Sequence, residues 1–152
     1  MKAFGFSLCV ASFTVCFSVI LPVCAARQAP AQQPAATGSL NGTWINVDPA
    51  TRGIVRIQIK GNKVHPYGAC HPDLCDWGVL KAKAFAGGAD SSSAAALLAK
   101  QTTAFGRVQI TLSLDTRGRL QVEEFTHFTD SSGRVDYRTV NTFMRNPAAY
   151  VP

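Results

Sequence analysis

The stretch Arg107-Val108-Gln109-Ile110-Thr111-Leu112-Ser113-Leu114, followed by Asp115-Thr116-Arg117-Gly118 and then Arg119-Leu120-Gln121-Val122, decides how this chain folds. Val108, Ile110, Leu112 and Leu114 fall on one side of an extended backbone, and Gln109, Thr111 and Ser113 on the other. Apolar residues at every second position mark a strand with one dry face. Asp115 to Gly118 supplies turn residues, so the chain doubles back as a hairpin. In the returning strand, 119–129, Leu120, Val122, Phe125 and Phe128 carry the apolar bulk. Their alternation slips at Glu123-Glu124, which predicts a bulge or a bent strand there.

Working outward, Asp130-Ser131-Ser132-Gly133 is a second hairpin loop, leading to a final strand over 134–144. Towards the N-terminus the same grammar repeats. A first strand over 43–47 stops at Asp48-Pro49. Over 54–60, Val55, Ile57 and Ile59 alternate with Arg56, Gln58 and Lys60, and Gly61-Asn62 turns the chain into a strand over 63–67. A further strand is expected over 77–85, and 87–93 is a loop. The segment 94–101 is open between helix and strand, because Ala, Leu and Lys favour helix while its setting among strands favours extension. The sum is an all-β chain of about eight strands in sequential hairpins, an antiparallel up-and-down meander. Closure into a small barrel satisfies both edges of such a sheet.

The chain of 152 residues has room for one such domain, placed at 40–152. Before it, residues 1–25 read as a secretory signal peptide: Lys2 is followed by an uncharged apolar run from Ala3 to Val23, with small residues at Ala25 and Ala26. Leu21-Pro22-Val23-Cys24 also resembles a bacterial lipoprotein signal, which implies a lipid anchor on Cys24, although Val23 is large for that position. Residues 26–39, with Pro30 and Pro34 among Ala and Gln, read as a flexible leader. No transmembrane span is expected after processing, and the destination is periplasmic or secreted.

The formal charge of +6 is spread along the chain rather than gathered in a run. It predicts a modest attraction to anionic surfaces and gives no ground for nucleic-acid binding. Of five cysteines, only Cys70 and Cys75 lie in the domain, and in an oxidising compartment they are expected to pair.

Gly42-Thr43-Trp44, at the start of the first strand, resembles the Gly-x-Trp opening of lipocalin and avidin-like small barrels, the calycin type. That resemblance implies that Trp44 closes the barrel floor beneath an arginine of the last strand, either Arg138 or Arg145. A guanidinium plane suits an indole face. The chain departs from those families in having no room for a C-terminal helix and only two tryptophans, Trp44 and Trp77. The segment from His65 to Gly78, containing Cys-His-Pro-x-x-Cys-Asp-Trp-Gly, also resembles small secreted bacterial proteins of uncharacterised function, which implies no activity.

Chemistry has one dense location. His65, Cys70, His71, Cys75 and Asp76 share a short window. With the cysteines joined, His65, His71 and Asp76 remain as weak metal candidates, the basis of an alternative reading as a metal-dependent exported hydrolase. Glu123 and Glu124 read as solvated edge charges, with Asp136 as the partner that acid–base work would require. His127 reads as a satisfied core or rim histidine. No nucleophile elbow, phosphate loop or dinucleotide fingerprint occurs, and no cofactor is called for. The leading expectation is a non-enzymatic binding module that recognises a small molecule, a cell-envelope polymer or a protein surface. Its contacts are expected at the barrel mouth and at the disulfide-pinned loop, through Tyr67, His71 and Trp77.

Overall fold

A computed structural model describes residues 35–146, and the segment read as a signal peptide, most of that read as a leader, and Cys24 lie outside them. Nine strands follow one another: β1 (Gly42–Asn46), β2 (Ile54–Lys60), β3 (Lys63–Gly68), β4 (Cys75–Asp76), β5 (Leu80–Ala86), β6 (Ala94–Thr102), β7 (Gly106–Leu114), β8 (Leu120–Phe128) and β9 (Tyr137–Arg145). Every pairing between them is antiparallel, and each long strand lies beside its neighbour in sequence. β9 returns to pair with β1, Trp44 lying opposite Arg145. Eight strands therefore close into a barrel, and the two-residue β4 hangs on the end of β3. The thinnest seam is β3–β5, held in register only at Lys63↔Lys81 and Val64↔Leu80.

The hairpin around Gly118 forms as its sequence demands. β7 and β8 pair without interruption from Gly106↔Phe128 to Leu114↔Leu120. The bulge expected at Glu123-Glu124 is absent from this pairing, because Glu124 and Thr126 keep the inward parity of Leu120 and Val122 and are buried. The register irregularities fall instead at Ile54/Arg56 and at Phe85/Ala86. The undecided segment 94–101 is strand: β6 is bonded on both sides, and tertiary pairing overrides the helix preference of its alanines. The strand expected over 77–85 starts only at Leu80, since Gly78 takes a left-handed φ of 79° that no strand accommodates. The last strand likewise begins at Tyr137 rather than at 134.

Alternate residues fill the interior. Trp44, Phe143, Ile57, Leu97, Ile110, Leu112, Leu120, Val64 and Val122 are all essentially inaccessible. The end of the barrel that holds Trp44 is sealed by backbone and side chain together. The Trp44 indole N–H donates to the Leu40 carbonyl at 2.9 Å, and the Arg145 guanidinium lies 4.3 Å over the Trp44 ring. Arg145 also donates to the carbonyls of Asn41 and Ser39, so one side chain ties the entry of β1 to the exit of β9. Gly42 sits under that guanidinium with φ 134°, a position where a Cβ would meet Arg145. The last residues of the segment read as a leader are held by main chain: Ala36 donates to Ser92 and accepts from Ala94, at 2.7 and 2.8 Å. No helix among the described residues is long and apolar enough to cross a membrane.

Candidate functional site

At the end of the barrel opposite Trp44, the chain from Ala69 to Val79 caps the weak β3–β5 seam. Cys70 and Cys75 are disulfide-bonded, with Cα atoms 5.4 Å apart, and the Trp77 N–H donates to the Pro66 carbonyl. Trp77 lays its indole against Gly68, so close that a Cβ on that glycine would collide with the ring. Its carbonyl accepts from the Gln101 side chain at 3.0 Å. Trp77 is thus packed against the core and covers the seam, rather than standing free beside the loop.

Tyr67, His71 and Trp77 consequently do not form one face. Tyr67 points outward from β3, between the Arg56 guanidinium, 4.0 Å from its ring, and the His65 ring, 4.3 Å between centroids. His71 is exposed and lines a cleft of about 510 Å³ with Pro49, Ala50, Thr51, Arg52 and Ala69. Of the expected contact residues, His71 alone faces open space at the rim.

The window rich in metal-capable groups resolves into a hydrogen-bonded row on the outside of β3. His65 Nε2 meets Asp76 Oδ1 at 2.5 Å, and His65 Nδ1 meets the Tyr67 hydroxyl at 3.1 Å. The Tyr67 hydroxyl also reaches Gln58 Oε1 at 3.2 Å. The hydrogen bond from His65, and then that from the Gly78 N–H, hold the Asp76 carboxyl below the usual carboxylate range. Carboxylate, imidazole and hydroxyl in sequence are the order of an activated nucleophile. Here, however, the Gly78 N–H is spent on Asp76, leaving the row without that backbone donor for a developing oxyanion. His71 makes none of these contacts, and no group of three or more His, Cys, Asp or Glu that could hold a metal occurs among the described residues.

The last strand offered two arginines for Trp44, and they have separate tasks. Arg145 has inward parity with Phe143 and stacks on the indole, whereas Arg138 points out and donates to Glu123 at 3.1 Å. His127, read as a core or rim residue, is on the outer face and pairs with Asp136 at 2.6 Å. That bond, with a second from the Phe128 N–H, keeps the Asp136 carboxyl below its ordinary range.

Two features escaped the sequence reading. Glu124 is an interior carboxyl, 8% exposed, whose one hydrogen bond comes from the Thr126 hydroxyl at 3.3 Å. Burial pushes it above the usual carboxylate range. Counting parity from Leu120 would have found it, since positions 122, 124 and 126 share that face. The second feature is an outer groove of about 640 Å³ across β6–β9, whose wall includes Lys100, Arg107, Gln109, Phe125, Asp136 and Arg138. Along the chain these residues are scattered, and only the strand register gathers them.

No family model, curated protein or solved structure matches the chain. A small closed antiparallel barrel of eight strands is consistent with a calycin-type plan.

Proposed function

We propose that the protein is an exported, non-enzymatic binding module, built on the plan of lipocalin and avidin-like barrels but binding at its surface. The observation that carries this reading is the burial of the inward face. Trp44, Phe143, Leu97, Ile110 and Leu112 are essentially inaccessible to solvent, so these interior side chains are not open to a ligand from outside. Recognition then falls to the rim, where the disulfide shortens the loop's conformational repertoire before any partner arrives. The contact residues are His71 and Arg52, which face a common cleft between the β1–β2 connection and the pinned loop. Trp77 supports the end of that loop, its indole packed against Gly68. The partner is a small molecule, an envelope polymer or a protein surface presenting hydrogen-bond acceptors to Arg52.

Amide NMR of the labelled protein, titrated with solubilised envelope glycans and with a panel of small carboxylates, tests this reading. Shifts are expected at Thr51, Arg52, Ala69 and His71, and they should vanish when His71 and Arg52 are both replaced by alanine. A silent rim during titrations that perturb other residues would remove the cleft from the account. Ester hydrolysis by the native protein, lost in His65→Ala, would replace binding by catalysis and favour the Asp76–His65–Tyr67 row.

A further inference from the structure

The outer groove on β6–β9 is separate from the rim cleft and shares no residue with it. Its composition follows from register. Lys100 pairs with Gln109, Gln109 with Phe125, and Phe125 with Arg138, so four outward side chains stand in one row across four strands. At the usual strand spacing the two cations of that row are separated by roughly 14 Å at the backbone. Two residues further towards the rim, Thr102, Arg107 and His127 form a second row in the same way. Phe125 remains 39% exposed in the middle of this surface, with Arg138 5.9 Å from its ring. Arg138 is paired with Glu123 and Asp136 with His127. Among the described residues, Lys100 and Arg107 have no hydrogen-bond or ion-pair partner, and both lie on the β6–β7 side of the exposed phenyl ring.

We propose that this groove is a binding site for an acidic oligosaccharide, a chain of sugar rings carrying carboxylates. Three features of the surface select that chemistry. An exposed aromatic ring offers its face to the C–H side of a sugar ring. Two unpaired cations on its β6–β7 side meet carboxylates, and Arg107 does so with two parallel N–H groups. Asp136, Gln109 and Thr102 add acceptors among the donors, which hydroxyl-rich sugars use and a bare phosphate backbone cannot. The Asp136 carboxylate inside the groove accepts from a sugar hydroxyl. The net positive charge of the chain assists capture at low salt.

The test is calorimetric titration of the protein with a defined oligogalacturonate, with its fully methyl-esterified form, with a single-stranded DNA oligonucleotide of equal length and with phosphatidylglycerol vesicles. Oligogalacturonate is expected to bind and to weaken as salt rises, with the ester form at least about tenfold weaker. Lys100→Ala with Arg107→Ala, and separately Phe125→Ala, should each cost about tenfold in affinity. All three side chains are at the surface, so unchanged melting temperatures are expected, and Lys100→Arg serves as a charge-preserving control that keeps binding. DNA or vesicles binding as tightly as oligogalacturonate would reduce the groove to a nonspecific basic patch and overturn the proposal. So would oligogalacturonate binding that survives Phe125→Ala, or no heat with oligogalacturonate at millimolar concentration. Loss of this binding on His71→Ala would transfer the activity to the rim.

Discussion

Trp44→Ala is expected to remove about 3–5 kcal/mol of unfolding free energy, the cost of deleting a wholly buried large aromatic. The loss has three sources at one end of the barrel. The void left by the indole has no neighbour able to collapse into it, since Phe143, Leu40 and Ile57 are already packed. The Leu40 carbonyl loses its donor. The Arg145 guanidinium loses the ring beneath it while remaining bound to Ser39 and Asn41. A domain of this size has about 5–15 kcal/mol in total, so the variant should unfold at least 10 °C or so lower, measurable by urea titration or a thermal melt. Trp44→Phe keeps most of the packing and should lose less than half as much. Trp77→Ala, at a partly exposed ring, is expected to cost less than Trp44→Ala. A Trp44→Ala protein within about 1 kcal/mol of the parent would mean that the floor does not hold the barrel closed.

The meander was legible because its strands obey period two, and the barrel followed from counting them. β2 and β7 could hardly be read otherwise, with Ile57 and Ile59 in one and Val108, Ile110 and Leu112 in the other turned inward as their spacing requires. What misled was chemistry read in place of geometry. Glu123-Glu124 looked like a break in the hydrophobic pattern, so a bulge or a bent strand was expected, yet the pairing register runs unbroken and a carboxyl is placed inside. β6 was undecided because alanine carries no β-preference of its own, and its partners on either side decide the matter. The choice between Arg138 and Arg145 was open to the same parity count. Phe143 faces the interior, so Arg145 two residues on does too, and Arg138 does not.

The candidate site was less legible, for a reason that residue spacing cannot overcome. Cys70 and Cys75 are close in sequence and their pairing needs no fold. His65, Asp76 and Tyr67 meet only because β4 folds back along β3 and brings Asp76 opposite Tyr67. The Lys100–Gln109–Phe125–Arg138 row depends on three successive hairpin registers, each of which a single-residue slip would invert. Trp77 was legible as an aromatic near the loop, but its packing against Gly68 depends on the glycine's missing Cβ.

Glu124 supplies the second large effect, and its sign can be worked out. In the folded chain the carboxyl lies among inward side chains, its facing neighbours on the paired strands being Ile110 on β7 and Thr139 on β9, and among the described residues no cation is bonded to it. Burial therefore raises its pKa above the ordinary value of 4.5. The folded state then binds a proton that the unfolded chain has already released over the interval between the two values. Stability consequently falls as pH rises through that interval, and the deficit persists above it. Below the ordinary value both states are protonated and the deficit is gone. Asp76, Asp115, Asp130 and Asp136 act in the opposite direction at lower pH, because their pKa values are held down by hydrogen bonds in the folded state. They contribute equally to parent and variant, so the difference between the two isolates Glu124. Glu124→Gln retains an acceptor for the Thr126 hydroxyl without a charge. It should be more stable than the parent by about 1–2 kcal/mol at pH 7, and the gap should close towards pH 4. Urea titrations of both proteins at a series of pH values measure that gap. A difference independent of pH would show that the interior carboxyl is already neutral at pH 7 or reaches water when ionised, while a destabilised variant at pH 7 would mean that the charge itself is bound by a group on the interior wall.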